Sequence, residues 1–230
     1  MSMSNDAQWV SGDAKPMKPD SRVEKWKGWL ESQIRAEVLG MNAHREIYRT
    51  VRKIVSDHGA LPASHFFDFL ADTYGATQAI AVRRQAEVDP RVISLGSLLS
   101  EIAGDPERLS RERFLSEYDS IDRRRGEREW NEKFAGTVGE HIDPKIVQGD
   151  LAELATGTRT TKDLVDKHLA HTDKKPLSNA PTFEELHAAI DAINTQFEKY
   201  VLLLTVSSYA TLVPVPQYDW LAIFREPWIK

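Results

Sequence analysis

The chain has 230 residues, with 30 basic and 35 acidic side chains, a formal charge of −5 and no cysteine. That balance excludes broad, non-specific coating of nucleic acid but leaves room for a local basic site. The missing cysteines exclude disulfides, thiolate metal sites and a cysteine nucleophile, and they fit a reducing compartment. No apolar run is long enough to span a bilayer and the amino terminus lacks an apolar signal core, so the expectation is a cytoplasmic protein with no membrane partner.

In chain order, residues 1–20 are polar with two prolines and read as a flexible tail ahead of a single domain over 21–230. Ser21 with Glu24 has capping-box spacing. Apolar residues then recur in steps of three and four from Val23 through Trp26, Leu30, Ile34, Val38 and Met41 to Ile54. This predicts one long amphipathic helix, bent at Gly40 and stopped at Gly59. Leu61-Pro62 opens a second predicted helix with an aromatic front of Phe66, Phe67 and Phe69, interrupted at Gly75 and ended by Asp89-Pro90. Ser94–Ile102 predicts a short helix, stopped by Gly104-Asp105-Pro106. Residues 107–133 are densely charged and predict an exposed helix with Leu109, Phe114, Leu115, Tyr118 and Ile121 turned inward. Residues 135–150 read as a loop with a short turn of helix. A helix is predicted over Thr161–His171, with Thr160 and Asp163 at its start. Thr182 with Glu185 caps the strongest helix, whose stripe runs Phe183, Leu186, Ile190, Ile193, Phe197, Tyr200 and Leu204.

The segment Val213-Pro214-Val215-Pro216 cannot continue as helix or central strand. The aromatics beyond it (Tyr218, Trp220, Phe224, Trp228) predict a tail docked on the bundle. The fold class read from these elements is all-α: a bundle of five or more helices with a docked irregular C-terminal tail.

Basic residues cluster at Arg45–Lys53, at Arg83-Arg84 and at Arg108–Arg128, but acids interleave with most of them, as on solvated helix faces. Glycine-rich phosphate loops, dinucleotide fingerprints, the G-x-S-x-G elbow and H-E-x-x-H are all missing. The segment Asp163–Lys175 is denser in chemistry. On an α-helix Leu164, Lys167, His168 and His171 share a face, and Lys167 lies one turn before His171. A cation beside a histidine favours the neutral ring that can accept a proton, and it can also hold a phosphate. The plainer reading is a helix end with His171 and the lysines near the C-terminal dipole. His168, His171 and Asp173 have possible metal-ligand spacing, but no third histidine is near, and the expected metal and cofactor complement is none.

The run Val165-Asp166-Lys167-His168-Leu169-Ala170-His171-Thr172-Asp173-Lys174-Lys175 resembles the signature of HEPN-domain proteins (higher eukaryotes and prokaryotes nucleotide-binding). More narrowly, it resembles the AbiU-like branch, named for an abortive-infection phage-resistance protein. That branch shows a basic residue, Asp or Asn, Lys, two variable residues, Ala-His and an acidic residue. Ala81-Val82-Arg83-Arg84 followed by Ile93–Leu99 is similar to its middle helices. Gln217-Tyr218-Asp219-Trp220 and Phe224–Trp228 are similar to its carboxyl end, so the likeness spans residues 22–228.

The resemblance implies a helical bundle acting as a homodimer and, in active members, a metal-independent endoribonuclease. There an Arg holds the phosphate, and a His four to six residues later handles protons as a 2′-hydroxyl attacks. Two such motifs meet across a twofold axis. His171 matches the family His, but the Arg would fall at Leu164, Val165 or Asp166, none of which can replace it. Val165→Arg restores the motif spacing and is the change expected to raise cleavage. The implied catalytic set is His171 as acid/base, Lys167 as phosphate clamp, and Asp166 or Asp173 orienting the histidine. His168, Lys174 and Lys175 would contact RNA. Three readings remain open: a ribonuclease of a phage-defence or toxin–antitoxin type system, with RNA and a cognate antitoxin or defence protein as partners; a catalytically silent module binding RNA, a nucleotide or a protein; or a plain helical scaffold whose His171 merely packs or caps.

Overall fold

The computed structural model describes residues 20–57, 64–118, 122–169 and 181–225. They form the helices α1 (Ser21–Trp29), α2 (Arg35–Asp57), α3 (His65–Ala86), α4 (Leu95–Gly104), α5 (Arg111–Ser116), α6 (Arg123–Lys133), α7 (Pro144–Leu164) and α8 (Phe183–Thr205). Among the described residues there is no strand, only an isolated bridge between Ser110 and His141. The all-α bundle is therefore the fold.

α1 and α2 run on through a π-helical turn, Leu30–Ile34, so the predicted long helix is real but its irregularity sits there rather than at Gly40. Its cap is Asp20, one residue earlier than expected, whose carboxylate accepts from the backbone N–H of Arg22 and Val23. α3 is capped by Ser64 and passes through Gly75 without interruption. The charged stretch breaks into α5 and α6, while Leu109, Phe114 and Leu115 are buried as expected. Ile121 lies outside the described residues. α8 carries the full capping box, with Thr182 and Glu185 each bonding the other's backbone.

The largest departure is α7. It starts at Pro144, behind the cap Asp143, and turns the expected loop and the expected helix start at Thr160 into one 21-residue helix. Asp143 accepts from the backbone of Lys145 at 2.8 Å and of Thr137 at 2.9 Å, and these N–H groups hold its carboxyl below the usual range. α7 contains Gly157, where an added Cβ would lie 2.7 Å from the Cβ of Ala192 on α8. The glycine is what lets the two helices come so close.

Side-chain pairs fix the directions. Arg45 meets Asp191 and Asn42 meets Asn194, so α2 and α8 are antiparallel. Asp150 meets Tyr200 while Glu153 meets Gln196, so α7 and α8 are too. Lys162 faces Glu87 while Asp166 faces Arg83, which sets α7 antiparallel to α3. The core between these helices holds Trp26, Leu98, Leu99, Trp130, Ile193, Phe197 and Tyr200, all fully buried. The tail docks only in part. Leu212 is buried, but Tyr218 is 76% exposed and Trp220 packs on Phe224 of its own short 3-10 turn, Trp220–Phe224. Among the described residues the tail is thus buried at Leu212, half-buried at Val213, Trp220 and Leu221, and exposed at Val215 and Tyr218.

Candidate functional site

α7 ends at Leu164 and the chain continues as a π-helical turn, Val165–Leu169. Such turns bond i to i+5 and occur often at functional sites. This turn carries Val165, Asp166 and Lys167 and the backbone of His168. The side chain of His168, together with His171, Asp173, Lys174 and Lys175, lies outside the described residues. The expected face of Leu164, Lys167, His168 and His171 assumed an α period, and that period does not hold across 165–169.

Val165 is 4% exposed and belongs to the hydrophobic core. Of the three positions where the family motif spacing would want an arginine, Val165 is thus an anchor, not a site-facing residue. Val165→Arg would therefore put a guanidinium into the core. Lys167 Nζ is 3.3 Å from Asp163 Oδ2, and both side chains are more than half exposed, at 53% and 57%. This surface pair holds the lysine only loosely.

Asp166 is held from another helix. Arg83 on α3 donates from Nε to Asp166 Oδ1 at 2.7 Å, and its Nη1 lies 3.4 Å from Glu87. Lys162 Nζ stands 3.5 Å from the same Glu87 oxygen. The Asp166 carboxylate raises the pKa of Arg83 further, so its charge is fixed. Arg83 also lines a groove of 550 Å³ with Gln33, Glu37, Arg84, Glu87 and Ile93. Arg84 pairs there with Glu37 at 2.9 Å. The segment that lacks its own arginine therefore receives a guanidinium from a residue 83 positions away. In the sequence Arg83 stood out as one of a pair of basic residues and within the stretch Ala81–Arg84 that resembles the family's middle helices, but no local spacing ties it to Asp166.

Among the described residues no three His, Asp or Glu side chains gather as a metal-ligand group. No helix among them is long and apolar enough to cross a membrane.

Comparison with curated proteins and with solved structures gives no match. A family model does match: HEPN_AbiU2, described as AbiU2, over residues 24–222, which takes in all of α2 to α8, most of α1 and the π-turn with Asp166 and Lys167. With that match spanning almost the whole bundle, the chain belongs to the AbiU2 family of HEPN domains.

Proposed function

We propose that this HEPN domain acts on RNA as a metal-independent endoribonuclease of a phage-defence or toxin–antitoxin type system. His171 serves as the proton-handling group, with Arg83 and Lys167 as the cations that hold the phosphate. The observation that supports this reading is the Arg83–Asp166 contact at 2.7 Å. A guanidinium has five N–H donors. One goes to Asp166 and one faces Glu87, which leaves the Nη2 group uncommitted among the described residues. Arg83 can thus do from α3 what the motif arginine does from its own helix.

The chemistry asked of His171 is modest. It removes the proton of a ribose 2′-hydroxyl, whose oxygen attacks the adjacent phosphorus. The 5′-oxygen leaves and takes up a proton, giving a 2′,3′-cyclic phosphate and a free 5′-hydroxyl. Fixed cations beside the phosphate stabilise the charge that builds there. The protein works as a homodimer in this reading, with two copies of the segment 165–175 contributing to one cleft.

The test is RNA cleavage in EDTA by wild type, His171→Ala and Arg83→Gln, with the ends of the products identified. Cleavage is expected in EDTA, absent in His171→Ala, and reduced about 10²-fold or more in Arg83→Gln. Cleavage that survives His171→Ala, or that EDTA stops, refutes the mechanism. An inactive wild type that still binds RNA would favour the silent module, a reading supported by the burial of Val165 at one of the motif positions.

A further inference from the structure

A second cluster lies where α2, α3 and α8 meet, and it uses none of the residues of the 165–175 segment. Its centre is the partly buried His187 on α8. The Tyr74 hydroxyl, from α3, is 2.9 Å from its Nε2. Arg49 Nη2, from α2, is 3.4 Å from its Nδ1. Arg45 reaches the His187 carbonyl at 3.5 Å and is otherwise committed to Asp191 and Asn42.

These contacts fix the proton. An arginine offers only donors, so the ring nitrogen facing Arg49 presents a lone pair. The proton of the neutral ring is therefore on Nε2, and it is donated to the Tyr74 oxygen. The phenolic hydrogen of Tyr74 is left over and can be given to something else. Burial, first, and then the charges of Arg49 and Arg45 lower the His187 pKa, so the ring stays neutral. Burial likewise pushes the Tyr74 hydroxyl up to about 12, so it remains a donor.

The charge around this cluster is not balanced by acids. Arg45, Arg49 and Arg52 recur at steps of four and three on one face of α2. Arg45 is neutralised by Asp191, and Glu184 is the other acid whose charge reaches His187. Arg49 and Arg52 are exposed, and neither forms an ion pair among the described residues. An exposed guanidinium with no ion pair among the described residues, beside the hydroxyl of the largely buried Tyr74 and with a neutral imidazole contacting both, is complementary to a small anion with several acceptor oxygens.

We propose that Arg49, Tyr74 and His187 form a phosphate-binding site, with Arg52 adding charge at its rim. The ligand is the phosphate group of a nucleotide or of an RNA strand. Arg49 supplies the charged contact and Tyr74 the neutral donor. His187 touches the ligand through neither nitrogen; it positions both partners. The site uses none of the residues of the segment 165–175, so His171→Ala removes none of its groups.

The experiment titrates wild type, Arg49→Gln, Tyr74→Phe and His187→Gln with two probes: adenosine 5′-monophosphate and a short single-stranded RNA of mixed sequence. Affinity is read by calorimetry and the fold of each variant by circular dichroism. Arg49 is exposed, so Arg49→Gln keeps the fold. It is expected to weaken binding roughly ten-fold or more, the size of one lost charge-assisted hydrogen bond. Tyr74→Phe is expected to weaken it by a smaller factor. In ¹⁵N spectra His187 shows the Nε2–H tautomer, and its signals move when the probe binds. Loss with both probes makes the site one for free nucleotides as well as strands, and loss with RNA alone makes it a strand site. Equal affinity of wild type and Arg49→Gln for both probes overturns the proposal, as does binding of neither probe to wild type. Cleavage lost in His171→Ala with probe binding retained separates this site from the proposed catalytic one.

Discussion

Val165→Arg places an arginine where the family motif spacing asks for one, and the structure makes it costly. The valine is 4% exposed in the turn that ends α7. Burying a side chain of this size stabilises by about 1.5–3 kcal/mol, which the substitution forfeits. A guanidinium left in its place would also lose hydration at a cost of several kcal/mol. Part of that is recovered, because a long arginine near a helix end can extend its head toward water. The net expectation is a loss of about 2–4 kcal/mol. With a urea dependence near about 2–3 kcal/mol per molar for a chain of this size, the unfolding midpoint should fall by roughly 1 M. Urea unfolding followed by far-ultraviolet circular dichroism measures this, with RNA cleavage assayed alongside. An unchanged midpoint would show that Val165 is not an anchor, and a gain in cleavage at full stability would sink the argument for Arg83 as the substituting cation.

The remaining expectations concern other parts of the bundle. Asp150, largely buried, accepts from Lys199 at 2.7 Å and from Tyr200 at 2.9 Å. Asp150→Ala strands both partners and should cost about 3–5 kcal/mol, whereas Tyr200→Phe removes one donor and should cost about 1–3 kcal/mol, both read by chemical denaturation. The lowered pKa of His187 means the unfolded chain takes up its proton first as pH falls. Stability from this group is fully present above pH about 6.5 and is lost as pH drops through the lower folded value, so melts should show a pH dependence there that His187→Gln flattens. A His187 ring titrating at or above the ordinary value by NMR would contradict this. Leu212→Ala should cost about 2–5 kcal/mol in denaturation midpoints, while Tyr218→Ser, at an exposed position, should stay within about 0.5 kcal/mol of wild type.

How far the sequence carried depended on whether a signal was local. α8 announces itself through Thr182, Glu185 and an unbroken stripe, and the capping box and the stripe from Leu186 to Leu204 are as expected, with Phe183 only half-buried. α7 was missed at its start although Asp143-Pro144 is a cap followed by proline at the first helical position. The helix also contains Gly149 and Gly157, residues of low helix propensity. Gly157 is there because α8 approaches closely, a tertiary reason that no propensity records. The tail aromatics argued for burial on hydrophobicity alone, but Tyr218 ended in water. At the candidate site, Lys167 was singled out by local spacing and Asp166 by the family resemblance, and their partners differ in kind. Lys167 meets Asp163, four residues back, while Asp166 meets Arg83 across the bundle. The Tyr74–His187 pair is likewise 113 residues apart, so only the packing of α3 on α8 brings it into being.

The π-turn at Val165–Leu169 has a further consequence for how such a motif should be counted. A helix that bonds i to i+5 absorbs one more residue per turn than one bonding i to i+4. Residue number and height along the axis therefore part company across this stretch, and a gap counted in letters overstates the physical climb. A single-residue deletion between Val165 and Leu169 could be taken up by the turn relaxing to α geometry, leaving Pro144–Leu164 undisturbed. Homologous chains could then differ by one residue here while presenting their side chains at the same level of the bundle.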